Sequence, residues 1–110
     1  MTFTAEKVSP DIVIVRGAGT LDMVSALELR AIIAAAISRG DCRIAMDLSG
    51  IDDVDWSGLG ALVSCLTRAR RAGGDLRIAE PSDAVVLGLH RSKLERVFEV
   101  FDSADGAYRE

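Results

Sequence analysis

Two helical stripes, set between short apolar runs, constrain this chain more than any other feature. Apolar residues recur at helical spacing over 29–37 and again over 59–69, so each stretch predicts a helix with one buried face. The runs at 12–15, 43–48 and 76–78 have the composition of strands. A strand–helix–strand–helix–strand order predicts right-handed crossovers between parallel neighbouring strands. The sequence therefore predicts an α/β fold whose helices cover a sheet.

The opening of the chain adds an antiparallel edge to this sheet. Residues 3–8 alternate loosely, and Ser9-Pro10-Asp11 has turn chemistry before the run at 12–15, which together predict a hairpin. Ile44-Ala45-Met46 is apolar without alternation, which is typical of a central strand covered on both faces. The prediction is one domain over residues 1–110, with a mixed, mostly parallel sheet of four to five strands and about four helices.

Local signals give the helix boundaries. Ser25 and Glu28 stand in the relation of a capping box and Gly40 is a stop signal, so the first helix is predicted over 25–39. The second helix is predicted to follow a loop after the strand at 43–48 and to end at Gly73-Gly74. The third helix is predicted to run from 81 to about 90. The tail from residue 102 is predicted to be a last helical turn that frays.

Composition narrows the classes of function. The net charge is −4 and no basic face is visible, which argues against direct nucleic-acid binding. The longest strongly apolar stretch, 31–37, is far shorter than the ~20 residues that span a bilayer, so no membrane insertion is expected. Cys42 and Cys65 lie in a predicted strand and a predicted helix, which points to a reducing compartment. The expected location is cytoplasmic.

The segment 47–60 carries the functional information, because there a strand passes into the start of a helix. Ser57 is predicted at or within the first helical turn, where free amides and the positive end of the helix dipole stabilise a phosphate. Ser57 is therefore a candidate phosphorylation site. The alternative is that Ser57 or Asp55 is an N-cap and that Gly58 and Gly60 are present for close packing on the sheet.

Catalytic chemistry has little support in the sequence. Asp55 and Leu59 stand where a serine nucleophile elbow needs glycines, and His90 is the single histidine. Asp47 and the carboxylates at 52, 53 and 55 either hold a divalent cation or solvate the loop and cap the helix. No phosphate-binding glycine-lysine loop accompanies them. The prediction is a non-enzymatic protein with no cofactor and no metal site.

Four motifs in one order carry a family resemblance. They are V-R-G-A-G-T-L-D at 15–22, D-L-S-G-I at 47–51, D-W-S-G-L-G at 55–60 and R-V-F-E-V-F-D-S at 96–103. Over about residues 3–103 the chain resembles a STAS domain, and more narrowly the bacterial anti-sigma factor antagonists. The resemblance implies that Ser57 is phosphorylated by a partner that is both serine kinase and anti-sigma factor, and that Asp22, on the loop before the first helix, reaches toward Ser57. The alternative role of Asp22 is that of a turn cap.

The implied function is that of an anti-sigma factor antagonist, a monomer or weak dimer, whose partner binding is switched off by phosphorylation of Ser57. The partner-binding residues this implies are Asp22, Asp55, Trp56, Ser57, Gly58 and Leu59. Trp56 departs from the family pattern, which has a small residue there, and it either fills a gap against the sheet or is an exposed anchor. The alternative function is a STAS subunit of a transporter (lipid or anion transport) or of a stress-signalling complex.

Overall fold

A five-stranded sheet in the order β1-β2-β3-β4-β5 organises the computed structural model, which describes residues 2–108. β1 pairs antiparallel with β2, and every later pair is parallel, as the sequence predicted. The elements are β1 (Thr2–Ser9), β2 (Ile12–Leu21), α1 (Met23–Ser38), β3 (Arg43–Val54), α2 (Trp56–Arg71), β4 (Asp75–Ala79), α3 (Asp83–Arg91) and β5 (Val100–Phe101).

Strand β3 is longer than predicted, because the segment 49–54 is strand and not loop. This far half of β3 pairs only with β2, up to the register Leu21 with Val54. β4 stops at Ala79, opposite Asp47, and α3 packs beside the far half of β3 in its place. The Ser82 amide donates to the carbonyl of Leu48 at 3.2 Å. The extension carries the start of α2 beyond the edge where β4 ends.

The core lies mainly between the sheet and the three helices. Leu29 and Ile33 of α1 and Leu62 of α2 are fully buried and belong to one core cluster with Ile44 and Met46 of β3. Ala45, which points to the opposite face of the sheet, belongs to a second, smaller cluster. The prediction that the middle strand is covered on both faces is confirmed.

The C-terminal segment supplies that second cover, and here the prediction was wrong. Residues 2–108 contain three helices, not about four. Residues 102–108, the C-terminal strap, form turns whose Ala104, Ala107 and Tyr108 are buried. The Tyr108 hydroxyl lies 2.8 Å from the carbonyl oxygens of both Ile44 and Asp75, two acceptors for its single proton. The strap is fastened because it shields an apolar sheet face from water.

Arginine side chains reinforce the strap. The guanidinium groups of Arg43 and Arg77 lie 4.9 and 4.4 Å from the centroid of the Tyr108 ring, within the range of cation–π attraction. Arg77 also donates to the carbonyl of Ala107 at 2.7 Å. Burial raises the pKa of the Tyr108 phenol, so the ring is held as a neutral hydrogen-bond donor.

The start of α1 also differs from the prediction. Asp22, not Ser25, is the N-cap, and its carboxylate accepts from the amides of Val24 and Ser25 at 3.1 Å. Ser25 completes the capping box from the other side, since its hydroxyl accepts from the Asp22 amide at 2.8 Å. Glu28 is engaged elsewhere, by the amide of Phe3. The helix therefore begins two residues before the predicted boundary.

The ends of α1 and α2 confirm the glycine stop signals. Gly40 and Gly73 have φ of 85° and 90°, the left-handed conformation that closes a helix. Just after Gly40, the fully buried Asp41 forms ion pairs with Lys7 at 3.1 Å and Arg39 at 3.3 Å. None of the helices within residues 2–108 combines the length and hydropathy that a membrane crossing needs.

Candidate functional site

The ends of β2 and β3 bring the starts of α1 and α2 together. Leu21 and Val54 are paired at the last position of the parallel register, and the next amide, that of Asp55, donates to the Leu21 carbonyl at 3.1 Å. Asp22 and Asp55, the N-caps of the two helices, therefore follow adjacent strand ends. The edge that they form, around the first turns of α1 and α2, is called the switch edge below.

Asp55 caps α2 and leaves Ser57 free. The Asp55 carboxylate accepts from the Gly58 amide at 2.9 Å, which makes Ser57 the second residue of the helix. Ser57 is exposed, and within residues 2–108 its hydroxyl and the amides at 56 and 57 make no hydrogen bond. Free amides at a helix N-terminus are donors for an anion. Of the two residues considered for the N-cap, Asp55 holds it, so capping does not account for Ser57.

Gly58 and Leu59 hold the start of α2 against the sheet. A Cβ atom on Gly58 would lie 2.7 Å from Leu21 Cγ and 2.9 Å from the Leu21 carbonyl carbon, so the close approach requires glycine. A Cβ atom on Gly60 would have nothing within 4 Å, so the prediction of close packing is wrong at that position. Leu59 is only 5% exposed and belongs to the main core. Both residues lie beneath the surface that Trp56 and Ser57 present. Their part in partner binding, as implied by the resemblance, stays a prediction.

Trp56 is exposed, which excludes one of the two interpretations of its position. Its side chain retains 75% of its accessible surface, so it does not fill a gap against the sheet. Trp56 lines a surface groove of about 260 Å³ together with Leu87 of α3 and with Val54 and Leu59. A large exposed aromatic beside a groove is typical of a protein-binding surface.

The other half of the switch edge is the first two turns of α1. The amide of Ser25, foremost among its hydrogen bonds, holds the pKa of Asp22 below its usual range, so the carboxylate is charged at neutral pH. Met23, Val24 and Leu27 beside it are all exposed, at 67, 74 and 64%. The sequence analysis missed these three residues. The available signal was that α1 is apolar on nearly all its faces, more than one buried stripe requires.

Carboxylates give the switch edge a negative charge. Asp52, Asp53 and Asp55 are exposed, and no Lys, Arg or His nitrogen of residues 2–108 lies within 4.0 Å of their oxygens. Within the same residues, no three His, Cys, Asp or Glu side chains are grouped as a metal site requires. The His90 side chain is 78% exposed, with its Nδ1 atom 4.0 Å from Glu95, and within residues 2–108 it makes no hydrogen bond to Ser57.

The sequence of residues 4–107 matches the STAS domain family, and the chain belongs to that family. The match covers the sheet, the three helices and nearly all of the strap. The fold and the family predicted from the four motifs are both confirmed. No curated protein matches the sequence at a significant level.

Solved structures of the same fold include both regulators and transporter-related proteins. A candidate anti-sigma factor antagonist of Thermotoga maritima is 22% identical with a TM-score of 0.83, over 97% of this chain and 95% of that one. The anti-sigma factor antagonist SpoIIAA in its unphosphorylated form is 25% identical with a TM-score of 0.77, over 90 and 87%. SpoIIAA of Bacillus in its phosphorylated form has a TM-score of 0.72 at 24% identity, over 90% of each chain.

A sulfate transporter family protein of Wolinella succinogenes is also similar. It is 20% identical with a TM-score of 0.79, over 93% of this chain and 85% of that one. At these identities the shared property is the STAS fold itself, which different functions use.

Proposed function

We propose that this protein is an anti-sigma factor antagonist whose binding to an anti-sigma factor is switched off by phosphorylation of Ser57. The observation that carries the proposal is the exposed Ser57 hydroxyl, uncommitted within residues 2–108, in the first turn of α2. The similarity to SpoIIAA, which occurs in unphosphorylated and phosphorylated forms, supports the same function. On this proposal the protein acts by binding, in the cytoplasm, and performs no reaction of its own.

The position of Ser57 allows a phosphate without unfolding the domain. At the amino end of α2 a phosphate gains about 0.3–2 kcal/mol from the helix dipole and the free amides. The exposed carboxylates Asp52, Asp53 and Asp55 oppose it by repulsion, which solvent screens. Because the two effects offset each other, the stability of the phosphorylated domain is expected to change little.

At the partner interface the balance is different. A partner surface that fits the neutral hydroxyl must accommodate and desolvate about two additional negative charges after phosphorylation. A cost of a few kcal/mol lowers the affinity by orders of magnitude, since each 1.4 kcal/mol is about tenfold. Phosphorylation therefore favours release of the partner over unfolding of the antagonist.

The test uses purified serine kinases of the anti-sigma type from the source organism, incubated with this protein and ATP. Mass spectrometry is expected to find the phosphate on Ser57. Ser57→Ala is expected to bind the kinase constitutively, and Ser57→Asp to fold but bind poorly. Ser38→Asp is the matched control, because Ser38 is an exposed residue at the C-terminal end of α1, whereas the switch edge lies at its N-terminal end. This variant should bind like the wild type.

Two results would refute the switch. One is phosphate on another residue, and the other is tight binding by both Ser57→Asp and the phosphorylated protein. If no such kinase binds or modifies the protein, the alternative function as a STAS subunit of a transporter or stress complex gains support.

A further inference from the structure

The groove between Trp56 and α3 has the dimensions of a socket for one side chain. Its volume is about 260 Å³, and a cavity of about 150 Å³ is already sufficient for a benzene molecule. Small-molecule sites generally begin at about 300 Å³ and enclose most of the ligand. An open groove of this size therefore suits a leucine- or phenylalanine-sized group presented by another protein better than a free ligand.

The walls of the groove are apolar and exposed to solvent. Trp56 and Leu87 are 75 and 46% exposed and face the same groove. Val54 and Leu59 also line the groove, and they are less exposed, since Leu59 belongs to the core and Val54 packs against it. Covering such walls removes apolar surface from water, and this stabilises a complex in proportion to the area that is buried.

The rim of the groove is charged, which indicates the charge that its occupant should carry. Asp53 and Asp55 line it together with Arg91, and no ion pair within 4.0 Å joins any of the three to the rest of residues 2–108. Two carboxylates against one guanidinium leave the rim negative. An apolar group that carries a cation beside it matches this rim, whereas one that carries an anion does not.

We propose that this groove seats an apolar side chain of the anti-sigma partner, with a neighbouring Lys or Arg of that partner against Asp53 and Asp55. The inference rests on the proposed function and names the chemistry of its interface. Trp56 directly precedes Ser57, so a seated partner lies beside the switch. Arg91 and one partner cation together balance the charges of Asp53 and Asp55, so the two further negative charges of a phosphate on Ser57 are left uncompensated.

A titration that needs no partner tests the chemistry of the groove. The probe is isopentylammonium, which joins a leucine-like group to a cation, and isopentyl sulfate is its anionic counterpart. Because Trp56 is the one tryptophan, its indole N–H signal in NMR reports on the groove without ambiguity. The cationic probe is expected to shift this signal saturably, at a concentration about tenfold lower than the anionic one. Equal response to both probes, or no response, would overturn the assignment.

A matched pair of variants on α3 tests the same groove with the partner. Leu87→Lys places a cation in the groove, and Val86→Lys places it on the adjacent residue, which is 50% exposed and does not line the groove. Leu87→Lys is expected to weaken binding to the Ser57 kinase about tenfold or more, and Val86→Lys less than about twofold. Circular dichroism of both variants is expected to match the wild type.

Three outcomes separate this inference from the proposed function. Equal affinity of both variants for a kinase that does modify Ser57 overturns the groove assignment and leaves the function intact. A wild-type dimer in sedimentation that Leu87→Lys dissociates assigns the groove to a second copy and also overturns it. If no kinase binds the wild type, the proposed function fails and the assignment to that partner fails with it, whereas the probe titration still reports on the groove.

Discussion

The amide of Asp55 donates to the carbonyl of Leu21 at 3.1 Å, and this bond joins the last residue of one strand to the helix cap that follows the next. Through it, the helix starts at Asp22 and Asp55 become neighbours although they are far apart in the sequence. The exposed first turns of α1 and α2 consequently form one surface around Ser57.

Gly58 and Gly60 provide a matched test of the contact between α2 and Leu21. A Cβ atom at Gly58 would collide with Leu21, whereas one at Gly60 has nothing within 4 Å. Gly58→Ala is expected to destabilise the domain by about 1–3 kcal/mol through overpacking. Gly60→Ala is expected to stabilise it by about 0.5–1 kcal/mol through helix propensity. Urea unfolding measures the free energy of unfolding of both variants. Equal changes in the two variants would contradict the prediction that the contact with Leu21 requires glycine at position 58.

Trp56 is expected to contribute to binding and not to folding. Because its side chain is 75% exposed, Trp56→Ala should leave the unfolding transition nearly unchanged. If the protein has the proposed function, binding to its anti-sigma partner should weaken by at least ~2 kcal/mol, or about thirtyfold. In the free protein the tryptophan emission should be red-shifted and readily quenched by iodide. Blue-shifted, quencher-insensitive emission together with an unstable variant would instead mean that Trp56 is part of the core.

Asp41 is expected to make stability depend on pH on the acid side. Its contact with Lys7, followed by that with Arg39, holds the pKa of Asp41 below its usual value of 3.8, against the opposing effect of burial. A lowered pKa in the folded state means that stabilisation is fully present above 3.8. It is lost as the pH falls from there through the folded-state pKa.

Asp41→Asn should therefore destabilise the domain at pH 6 and flatten the loss of stability in the acid range. Thermal unfolding at a series of pH values measures this. Asp52→Asn is the control, because Asp52 is an exposed carboxylate for which no ion pair is described. An acid limb that is identical in wild type and Asp41→Asn would contradict the prediction.

Tyr108 is expected to fasten the C-terminal strap through its hydroxyl. Tyr108→Phe keeps the ring between Arg43 and Arg77 but removes the donor to the carbonyls of Ile44 and Asp75. The expected loss is about 0.5–1.5 kcal/mol. Tyr108→Ala also removes the buried ring and should cost about 3–5 kcal/mol. Hydrogen exchange of the strap amides checks whether the loss is local, and unchanged protection in Tyr108→Ala would refute the fastening role.

Sequence patterns predicted the strand and helix order from β1 to α3, because these stretches differ in the spacing of their apolar residues and are separated by turn or stop signals. The helical stripes at 29–37 and 59–69 and the glycines at 40 and 73 are such local signals. The boundary of α1 was wrong by two residues, since Asp22 and Ser25 are both capping residues. Glu28 does not complete a cap at Ser25, because its carboxylate accepts from the amide of Phe3. This hydrogen bond is a tertiary contact.

The extended far half of β3 and the strap were outside the reach of local patterns. Residues 49–54 contain Gly, Ser and Asp, which favour a loop by propensity, and their pairing with β2 overrides it. Residues 102–108 are short and polar, and they are ordered because Tyr108 finds acceptors on two strands. β2 is far in the sequence from residues 49–54, and the two strands that accept from Tyr108 are far from the strap.

By itself, the sequence determined the α/β order, the family and the presence of Ser57 in the first turn of a helix, because motif spacing and apolar period are properties of the chain. Only the tertiary structure decided that Asp55 is the cap, that Trp56 stands exposed beside a groove and that Asp22 lies next to the start of α2. The physical reason is that exposure and proximity depend on which elements pack together. Here the pairing of the far half of β3 with β2 sets the proximity of Asp22 to α2, and the approach of α3 forms the groove beside Trp56. These segments are far apart in the sequence, so no local pattern connects them.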